Sequence, residues 1–590
     1  MQNLWRFFTD PIFGRNDRRE RPWILLTFSF TAIIAVKSLW EAYAAPYTVQ
    51  DDARQFIFWM AKWRDPDLFK NDMVAAYFES VSPHGFTAIY WIADRLGFDP
   101  ITASKLFPPI LMFLLAWLAF RFSMRIFPSP QAAFVAASVT ALFMSLNDIV
   151  FSATPRAFAV PFFLAFLIFL LRQSFWGVVL MIGLMASFYP QVALVAVGTL
   201  CLSILNWQSE NGKPRFTLDL SRRRITLVLG GTAMGLGLLS LFALDSSAFG
   251  PSVTLAQARQ WPAFGPGGRS EIFLSDGSVP ILCDGRTGFL PREWGCVLAP
   301  TVLSLIHVVL VYAIPFWLVW LAHRSRALPR PRPEAAILVT VLAAISVLYA
   351  LAYLVMFELH LPGRYSTIAL RATGPLAFGL SLFLCWAYTV RWAGPKIDRE
   401  QLTGRQKAVL VLALGFLACL IVATIPPKIA PRTLYQAGPN PQLYEFLRQQ
   451  PTTILIASLA PEADYVPIFG QRSVLIAQEY AIPYSSGYFL KVRERTESTI
   501  RLYFTPSAEE FRSIVQTWGI NFILVEEDST SVAALRAGWW NLEYPQVSQE
   551  MQSILTSETP DSFLSKKLIS CSILKEKLIN LVDANCAIRE

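Results

Sequence analysis

Two adjacent aspartates carry the clearest chemistry in this sequence of 590 residues. Asp51 and Asp52 stand in the segment APYTVQDDARQF, a few residues beyond a long apolar run. Two neighbouring carboxylates could bind a divalent cation, or one of them could accept a proton as a general base. The alternative is structural, because aspartate is a preferred N-cap and either residue could cap the helix that follows.

A second group of functional side chains lies in the segment ELHLPGRYSTIALR. Arg364 and Tyr365 follow a helix-breaking Pro-Gly pair at the predicted membrane boundary, and Arg371 falls about two turns into the next apolar run. A guanidinium suits phosphate because its planar fork donates two hydrogen bonds. Arg364 could instead simply reach toward lipid headgroups. Arg371 is harder to explain in that way, because a cation inside a bilayer needs a partner or a polar cavity.

Three smaller features complete the candidates. Arg156 follows Thr-Pro in a short connector between apolar runs, and His84 lies in the segment SPHGFTAIYWIADRL. Both are candidates for substrate binding, although a lone histidine of this kind more often has a structural role. Trp539 and Trp540 form an aromatic pair that could stack on a sugar, but packing in a core is the better interpretation.

The elements that must position these residues are membrane-spanning helices. Hydrophobic residues make up 54% of the chain and charged residues 16%, and the apolar residues cluster in runs of about 20, the length that spans a bilayer. Lipid offers no partner for backbone N–H and C=O groups, so such runs must be helical. The sequence predicts about eleven spans: 23–44, 104–122, 131–147, 157–171, 174–188, 190–206, 225–244, 299–321, 335–357, 367–390 and 408–426.

The distribution of lysine and arginine predicts the orientation. The N-terminal tail and the connectors 207–224, 323–334 and 391–407 are rich in both, and the span count places all of them on one side, which should be the cytoplasm. The N-terminus is then cytoplasmic, and the loops 45–103 and 245–298 and the C-terminal part lie outside. The net charge of +9 is largely this basic excess, so no nucleic-acid partner is expected.

The cysteines agree with this orientation. Two pairs lie a dozen or so residues apart in the segments predicted to be outside, and we expect local disulfides between Cys283 and Cys296 and between Cys571 and Cys586. The other three thiols lie in apolar spans and behave as small hydrophobes; they are Cys201, Cys385 and Cys419.

The chain therefore divides into a transmembrane domain, 1–426, and an extracytoplasmic domain, 427–590. In the second domain, NPQLYEFLRQQ and TPSAEEFRSIVQTWG read as helices, and TTILIASL, RSVLIAQ and NFILVEE read as strands, which predicts a small α/β fold. In the first outer loop, Phe56, Trp59, Met60 and Trp63 fall on one side of a helix, which predicts that this helix lies in the membrane interface.

This layout resembles the GT-C superfamily of membrane glycosyltransferases, and in particular the bacterial group similar to dolichyl-phosphate-mannose protein mannosyltransferases and aminoarabinose transferases. The shared features are many spans, a long first outer loop with an acidic pair directly after the first span, and a C-terminal outer α/β domain. The resemblance implies that Asp51 or Asp52 serves as catalytic base or metal ligand, with Mg²⁺ or Mn²⁺ as the one cofactor to consider. It assigns Arg364 and Arg371 to the lipid phosphate of the sugar donor.

The resemblance also implies the partners and the location. The donor would be a polyprenyl-phosphate-linked sugar, the acceptor a lipid, glycan or protein, and the site the outer face of a bacterial plasma membrane. Two alternatives stay open. One is a transporter or flippase of a lipid-linked glycan, which would be favoured by charges in the middle of several spans. The other is a catalytically silent relative that acts as a scaffold in a polysaccharide assembly system.

Overall fold

The helices of the membrane unit begin where the sequence supplies helix-start signals. The computed structural model describes residues 9, 20–210, 213–244, 249–294, 331–394, 402–422, 430–555 and 561–589. Four apolar helices start with proline at the first position, namely Pro100, Pro130, Pro155 and Pro190. Proline suits this position because its missing N–H would have no helical partner there. Asp99 caps the first of these helices by accepting hydrogen bonds from the N–H groups of Ile101 and Thr102.

The helices and strands up to residue 422 have these bounds in chain order: α1 Arg21–Ala42, β1 Thr48–Gln50, α2 Ala53–Ile57, α3 Met73–Ser80, α4 His84–Arg95, α5 Pro100–Ile126, α6 Pro130–Ser145, α7 Pro155–Leu171, α8 Phe175–Phe188, α9 Pro190–Leu202, β2 Leu205–Glu210, β3 Lys213–Leu218, α10 Arg222–Leu244, α11 Leu255–Gln260, α12 Ile337–Leu354, α13 Gly363–Ala393 and α14 Gly404–Val422. The protein is thus a mostly helical, multi-pass membrane protein.

Ten of the eleven predicted spans coincide with a helix of the structure, and the span 299–321 lies outside the described residues. Within the described residues, α1, α5, α13 and the segment Pro333–Leu354 are long and apolar enough to cross a membrane by themselves. The helices α6 to α9 are shorter but equally apolar. The chain breaks at Pro190 as predicted, but α9 ends at Leu202, and the hairpin β2–β3 follows where the span was expected to continue to 206.

The C-terminal part forms the expected α/β domain. Its elements are β4 Tyr435–Ala437, α15 Pro441–Gln449, β5 Leu455–Ser458, β6 Ser473–Val474, α16 Ser486–Phe504, α17 Ala508–Trp518, β7 Phe522–Glu526, α18 Val532–Ala537, α19 Trp539–Glu543, α20 Pro545–Ile554, α21 Phe563–Lys567, β8 Ser572–Glu576, β9 Ile579–Asp583 and α22 Ala584–Arg589. Five strands make one sheet in the order β6-β5-β7-β9-β8. The pairs β6–β5 and β5–β7 are parallel, and β7–β9 and β9–β8 are antiparallel.

Helix α17, which lies between β5 and β7 in the sequence, begins and ends at residues that favour a helix start and a helix end. Ser507 accepts a hydrogen bond from Glu510 N at the start of α17, and Gly519 ends the helix in the left-handed conformation that glycine adopts at least cost. The aromatic pair lies in the core of this domain rather than on a binding surface, with Trp540 buried against Phe504. Cys571 and Cys586 are joined by a disulfide, and Cys283 is also disulfide-bonded, although its expected partner, Cys296, lies outside the described residues.

The C-terminal domain lies directly on the first loop. Strand β1 pairs antiparallel with β4, so that Val49 faces Gln436, and the rings of Tyr77 and Tyr488 stack 3.7 Å apart. Buried side chains of both parts form one continuous core. We call the side of the membrane unit that carries these loops and this domain the domain face. The predicted boundary at 426/427 lies outside the described residues.

This contact corrects one expectation. The stretch that contains Phe56, Trp59, Met60 and Trp63 does not lie on the membrane surface. Trp59 and Met60 are buried, and the ring of their neighbour Phe58 packs 5.1 Å from that of Tyr480 in the C-terminal domain. The apolar side of this segment is covered by protein, which buries the same area that the interface would have covered.

We predict that the domain face points out of the cytoplasm. In intact cells, a membrane-impermeant thiol reagent should label Cys571 and Cys586 only after treatment with an impermeant reductant, because both sulfurs are held in the disulfide. Peptide mass spectrometry resolves the two positions from the free thiols of the membrane helices, which serve as the internal control. Labelling without reductant, or continued protection after reduction in cells that stay sealed, would contradict this orientation.

Candidate active site

The acidic pair stands at the junction between the first span, the first loop and the C-terminal domain. Asp51 follows β1 directly, and its N–H donates to Leu434 O at 3.1 Å. Neither aspartate caps α2: the N–H of Ala53 is bonded at 3.1 Å to the side-chain oxygen of Gln50, and Asp52 makes no capping hydrogen bond. The structural explanation for the pair therefore does not account for its carboxylates.

Asp52 belongs to a cluster with residues of the next connector on the domain face. Nη2 of Arg156, the second residue of α7, donates to Oδ2 of Asp52 and, at 2.6 Å, to Oδ2 of Asp148. About 33% of the Asp52 side chain and 22% of the Asp148 side chain remain exposed. The predicted binding residue Arg156 is thus placed beside the predicted acid, in a cluster that is partly open to solvent.

The two carboxyl groups of this cluster titrate differently. Burial raises the pKa of Asp52, the nearby charges of Asp148 and Asp51 add to this rise, and Arg156 opposes it. Burial acts in the same direction on Asp148, but Arg156 and a hydrogen bond from the Asp52 carboxyl hold the pKa of Asp148 below its usual value. Asp52 therefore takes up a proton before Asp148 does as the pH falls.

Asp51 points away from this cluster and toward the C-terminal domain. Its carboxylate pairs with Arg54, whose Nη2 also lies 3.4 Å from Oε2 of Glu479. Arg269 from the second long loop reaches the same oxygen at 3.1 Å, and Gln55 donates to the other carboxylate oxygen. Burial raises the pKa of Glu479 to about 7 even though both guanidiniums favour its charged form. Asp51 and Asp52 thus face different partners and do not by themselves make a two-carboxylate cation site.

The second predicted group lies next to the first. Arg371 in α13 donates two hydrogen bonds to the carboxylate of Glu293, at 2.5 and 2.8 Å, and both side chains are at least 85% buried. The positive charge of Arg371 is close enough to Asp148 to help lower the pKa of that carboxyl. Arg371, which lies more than 200 residues after Asp148 in the sequence, is therefore near the acidic cluster.

Arg364 differs from every other guanidinium of this region. Its Nε is buried without a hydrogen-bond partner, and no ion pair or side-chain hydrogen bond joins it to the residues that the structure describes. His360 lies beside it: burial and the charges of Arg364 and Arg286 lower the pKa of His360 to about 3, so the imidazole is neutral. A partly buried cation without a counter-ion loses part of its hydration, and an anionic ligand would compensate for that loss.

The remaining two candidates line the same region less directly. Tyr365 is buried, and its hydroxyl donates to Leu359 O at 2.9 Å, so it fixes the turn before α13 rather than facing a cavity. His84 is the first residue of α4, which packs on the end of α8, where the position of a Cβ on Gly85 would meet the ring of Phe188 at 2.6 Å. Neither contact places these two side chains against the aspartates.

Sequence inspection missed three acids that complete the site. Asp148 carried a usable signal, because it is an acidic residue in a short connector that also holds Arg156. Glu293 and Glu479 carried none, because neither stands in a recognisable motif, and only the fold brings them to Arg371 and Arg54.

The described residues offer a poor fit to a divalent cation. No group of three or more histidine, cysteine, aspartate or glutamate side chains converges among them. Asp52 and Asp148 converge, but a guanidinium already bridges them.

Comparison with solved structures agrees with this architecture. The apo crystal structure of the Archaeoglobus fulgidus oligosaccharyltransferase aligns over 91% of this chain and 73% of its own, with a TM-score of 0.51 and 10% identity. Weaker alignments are found with the arabinofuranosyltransferase AftD from Mycobacteria (85% and 35% of the two chains, TM-score 0.45, 15% identity) and with ArnT from Cupriavidus metallidurans (88% and 95%, TM-score 0.41, 13% identity). No protein-family model and no curated protein matches the sequence.

The chain thus has the fold of the GT-C membrane glycosyltransferases, as its layout predicted. At such low sequence identities the likeness extends to the fold alone, and the function depends on the residues of the site.

Proposed function

We propose that the protein transfers a sugar from a polyprenyl-phosphate-linked donor to a hydroxyl of a lipid, glycan or protein acceptor on the domain face, which we take to be the outer face of a bacterial plasma membrane. This proposal rests on two features: the carboxylate pair that Arg156 bridges at the start of α7, and the half-buried Arg364 at the start of α13, which has no ion pair among the described residues. The archaeal oligosaccharyltransferase named above has also been seen with a dolichol-phosphate, which is a lipid phosphate of the proposed kind.

The lipid phosphate would bind at Arg364. Its guanidinium stands at the first turn of α13, at the membrane boundary, where a prenyl chain can remain in the lipid while its phosphate reaches the protein. Glycosyl transfer leaves an additional negative charge on the phosphate, and a fixed cation stabilises that charge most where water is excluded. Arg371 cannot supply this charge as freely, because Glu293 neutralises it.

Asp52 rather than Asp51 would act as the base. Asp52 belongs to the cluster with Arg156 and Asp148, whereas Asp51 is paired with Arg54, which faces Glu479 of the C-terminal domain. The raised pKa of Asp52 also suits a base, because proton transfer is most effective when the pKa of the base approaches the working pH.

The proposed reaction is a single displacement. The acceptor hydroxyl gives its proton to the Asp52 carboxylate as its oxygen forms a bond to the anomeric carbon of the sugar. The bond between that carbon and the phosphate oxygen breaks, and its electron pair leaves with the polyprenyl phosphate. Arg364 stabilises the departing phosphate, and Arg156 and Asp148 hold Asp52 in place.

The alternatives find less support among the described residues. A transporter would need charges along a path through the spans. Two cations fall in the middle of predicted spans: Arg371 is paired with Glu293, and Lys37 donates to the backbone oxygen of Ala430 at 2.7 Å. A silent scaffold would retain the fold without needing an unpartnered Arg364, and the substitutions below distinguish it from an enzyme.

A crystal structure of the archaeal oligosaccharyltransferase holds Zn and sulfate, but no step proposed here passes through a metal.

We predict that Asp52→Asn lowers kcat by about 100- to 10,000-fold, the range that a general base contributes. Asp51→Asn should lower it less than Asp52→Asn does, because Asp51 acts only through Arg54. The measurement is transfer of a radiolabelled sugar from polyprenyl phosphate in membranes that contain equal amounts of each variant. Asp67→Asn, which alters an exposed aspartate of the same loop, is the matched control. Undiminished transfer by the Asp52 variant would refute the assignment.

We predict that Arg364→Ala weakens binding of polyprenyl phosphate to the purified protein by about 10- to 100-fold, because a hydrogen bond to a charged group contributes about 1.5–3 kcal/mol. The thermal stability of the free protein should not fall, since no protein group loses a partner. Arg371→Ala should instead keep the affinity for polyprenyl phosphate and lower the unfolding temperature, because Glu293 loses its counter-ion. The exposed Arg259→Ala is the control. Unchanged affinity in Arg364→Ala would rule out this phosphate site.

A further inference from the structure

One guanidinium occupies the position that a metal ion would take between two carboxylates. Nη2 of Arg156 contacts Oδ2 of Asp52 and Oδ2 of Asp148, and the latter distance is 2.6 Å. We propose that Arg156 is the resident cation of this site, so that the carboxylate pair is held together by a side chain and does not take up a divalent ion. The catalytic part of this inference rests on the proposed function, but the binding part does not.

The coordination chemistry supports this assignment. Mg²⁺ and Mn²⁺ prefer about six oxygen ligands in a near-octahedral arrangement, and protein sites for them need carboxylates that face the ion. Asp52 and Asp148 are the two carboxylates present, and Asp51, the nearest further acid along the chain, is held by Arg54 instead. A divalent ion placed between Asp52 and Asp148 would stand against a fixed positive charge, and it would have to displace that charge from both oxygens.

The position of Arg156 in the fold keeps its guanidinium in this place. It is the second residue of α7, after Pro155, and the segment before the helix is fixed by the hydrogen bond between the hydroxyls of Ser152 and Thr154 at 2.8 Å. Arginine stays protonated at any pH at which the protein is folded, so the bridge does not depend on the protonation of its cation. A lysine would supply the charge as a single point rather than as a planar fork.

Arg156 would therefore be a positioning residue. It holds two acids, which would otherwise repel each other, side by side, and it fixes the direction of the Asp52 carboxylate. A divalent ion performs the same task in sites where no arginine is available. Loss of the guanidinium should leave two adjacent carboxylates with an open space between them, which is a partial cation site.

The experiment is Mn²⁺ binding to the purified full-length protein, measured by the loss of the free-ion signal in electron paramagnetic resonance. The wild type should show no Mn²⁺ site that depends on Asp52. Arg156→Ala should gain one equivalent of bound Mn²⁺, and the double variant Arg156→Ala/Asp148→Asn should lose it again. Arg156→Lys, which keeps the positive charge, is the matched control and should exclude Mn²⁺ as the wild type does.

Two results would overturn the inference. One is a wild-type protein that binds one Mn²⁺ which disappears in Asp52→Asn, because the ion then fits beside Arg156; this outcome needs no Arg156 variant to fold. The other is an Arg156→Ala protein that elutes as a folded monodisperse particle and gains no Mn²⁺. The Mn²⁺ result is separate from the proposed function, which fails instead if Asp52→Asn retains full transfer activity. If the Mn²⁺ inference and the proposed function both hold, transfer by the wild type resists EDTA, and Mn²⁺ partly restores transfer by Arg156→Ala.

Discussion

The requirement that buried charges be paired organises the domain face of this protein. Three arginines from different segments each neutralise acids that lie far away in sequence: Arg156 with Asp52, Arg54 with Glu479, and Arg371 with Glu293. Removing one partner from a buried pair costs about 3–5 kcal/mol, whereas an exposed pair such as Lys70–Asp67 contributes about 0–1 kcal/mol. These pairs therefore tie the first loop, the connector before α7, the second long loop and the C-terminal domain to one another.

The exception to this pairing is what gives the site its chemistry. Arg364 keeps a buried Nε without a partner among the described residues, next to a histidine that is neutral at physiological pH. Such a cation adds little to the stability of the protein, and we propose that an anionic ligand supplies its partner. We propose that one lipid-linked sugar, which carries its anomeric carbon next to its phosphate, contacts both Arg364 and the acids around Arg156.

The sequence predicted the local features of this fold and missed those that depend on contacts between distant segments. Apolar runs determine helices in lipid whatever surrounds them, so ten predicted spans coincide with helices, and the Ser507 cap and Gly519 stop marked α17 correctly. The burial of Trp59 by protein could not be predicted, because an apolar helix face is covered equally well by lipid headgroups or by a neighbouring domain. The site was half predictable: Asp52, Arg156 and Arg364 stood out by type and place, whereas Glu479 and Glu293 became partners only through tertiary folding.

The central claim is that the acidic pair and Arg364 form one site for a lipid-linked sugar phosphate. The most direct test is a cryo-electron microscopy map of the protein saturated with polyprenyl phosphate. The account predicts phosphate density within about 3 Å of the Arg364 guanidinium, on the side that faces Asp52, with the prenyl chain running into the membrane beside α13. Phosphate density that contacts neither Arg364 nor this end of α13, or that lies at the opposite ends of the membrane helices, would contradict it.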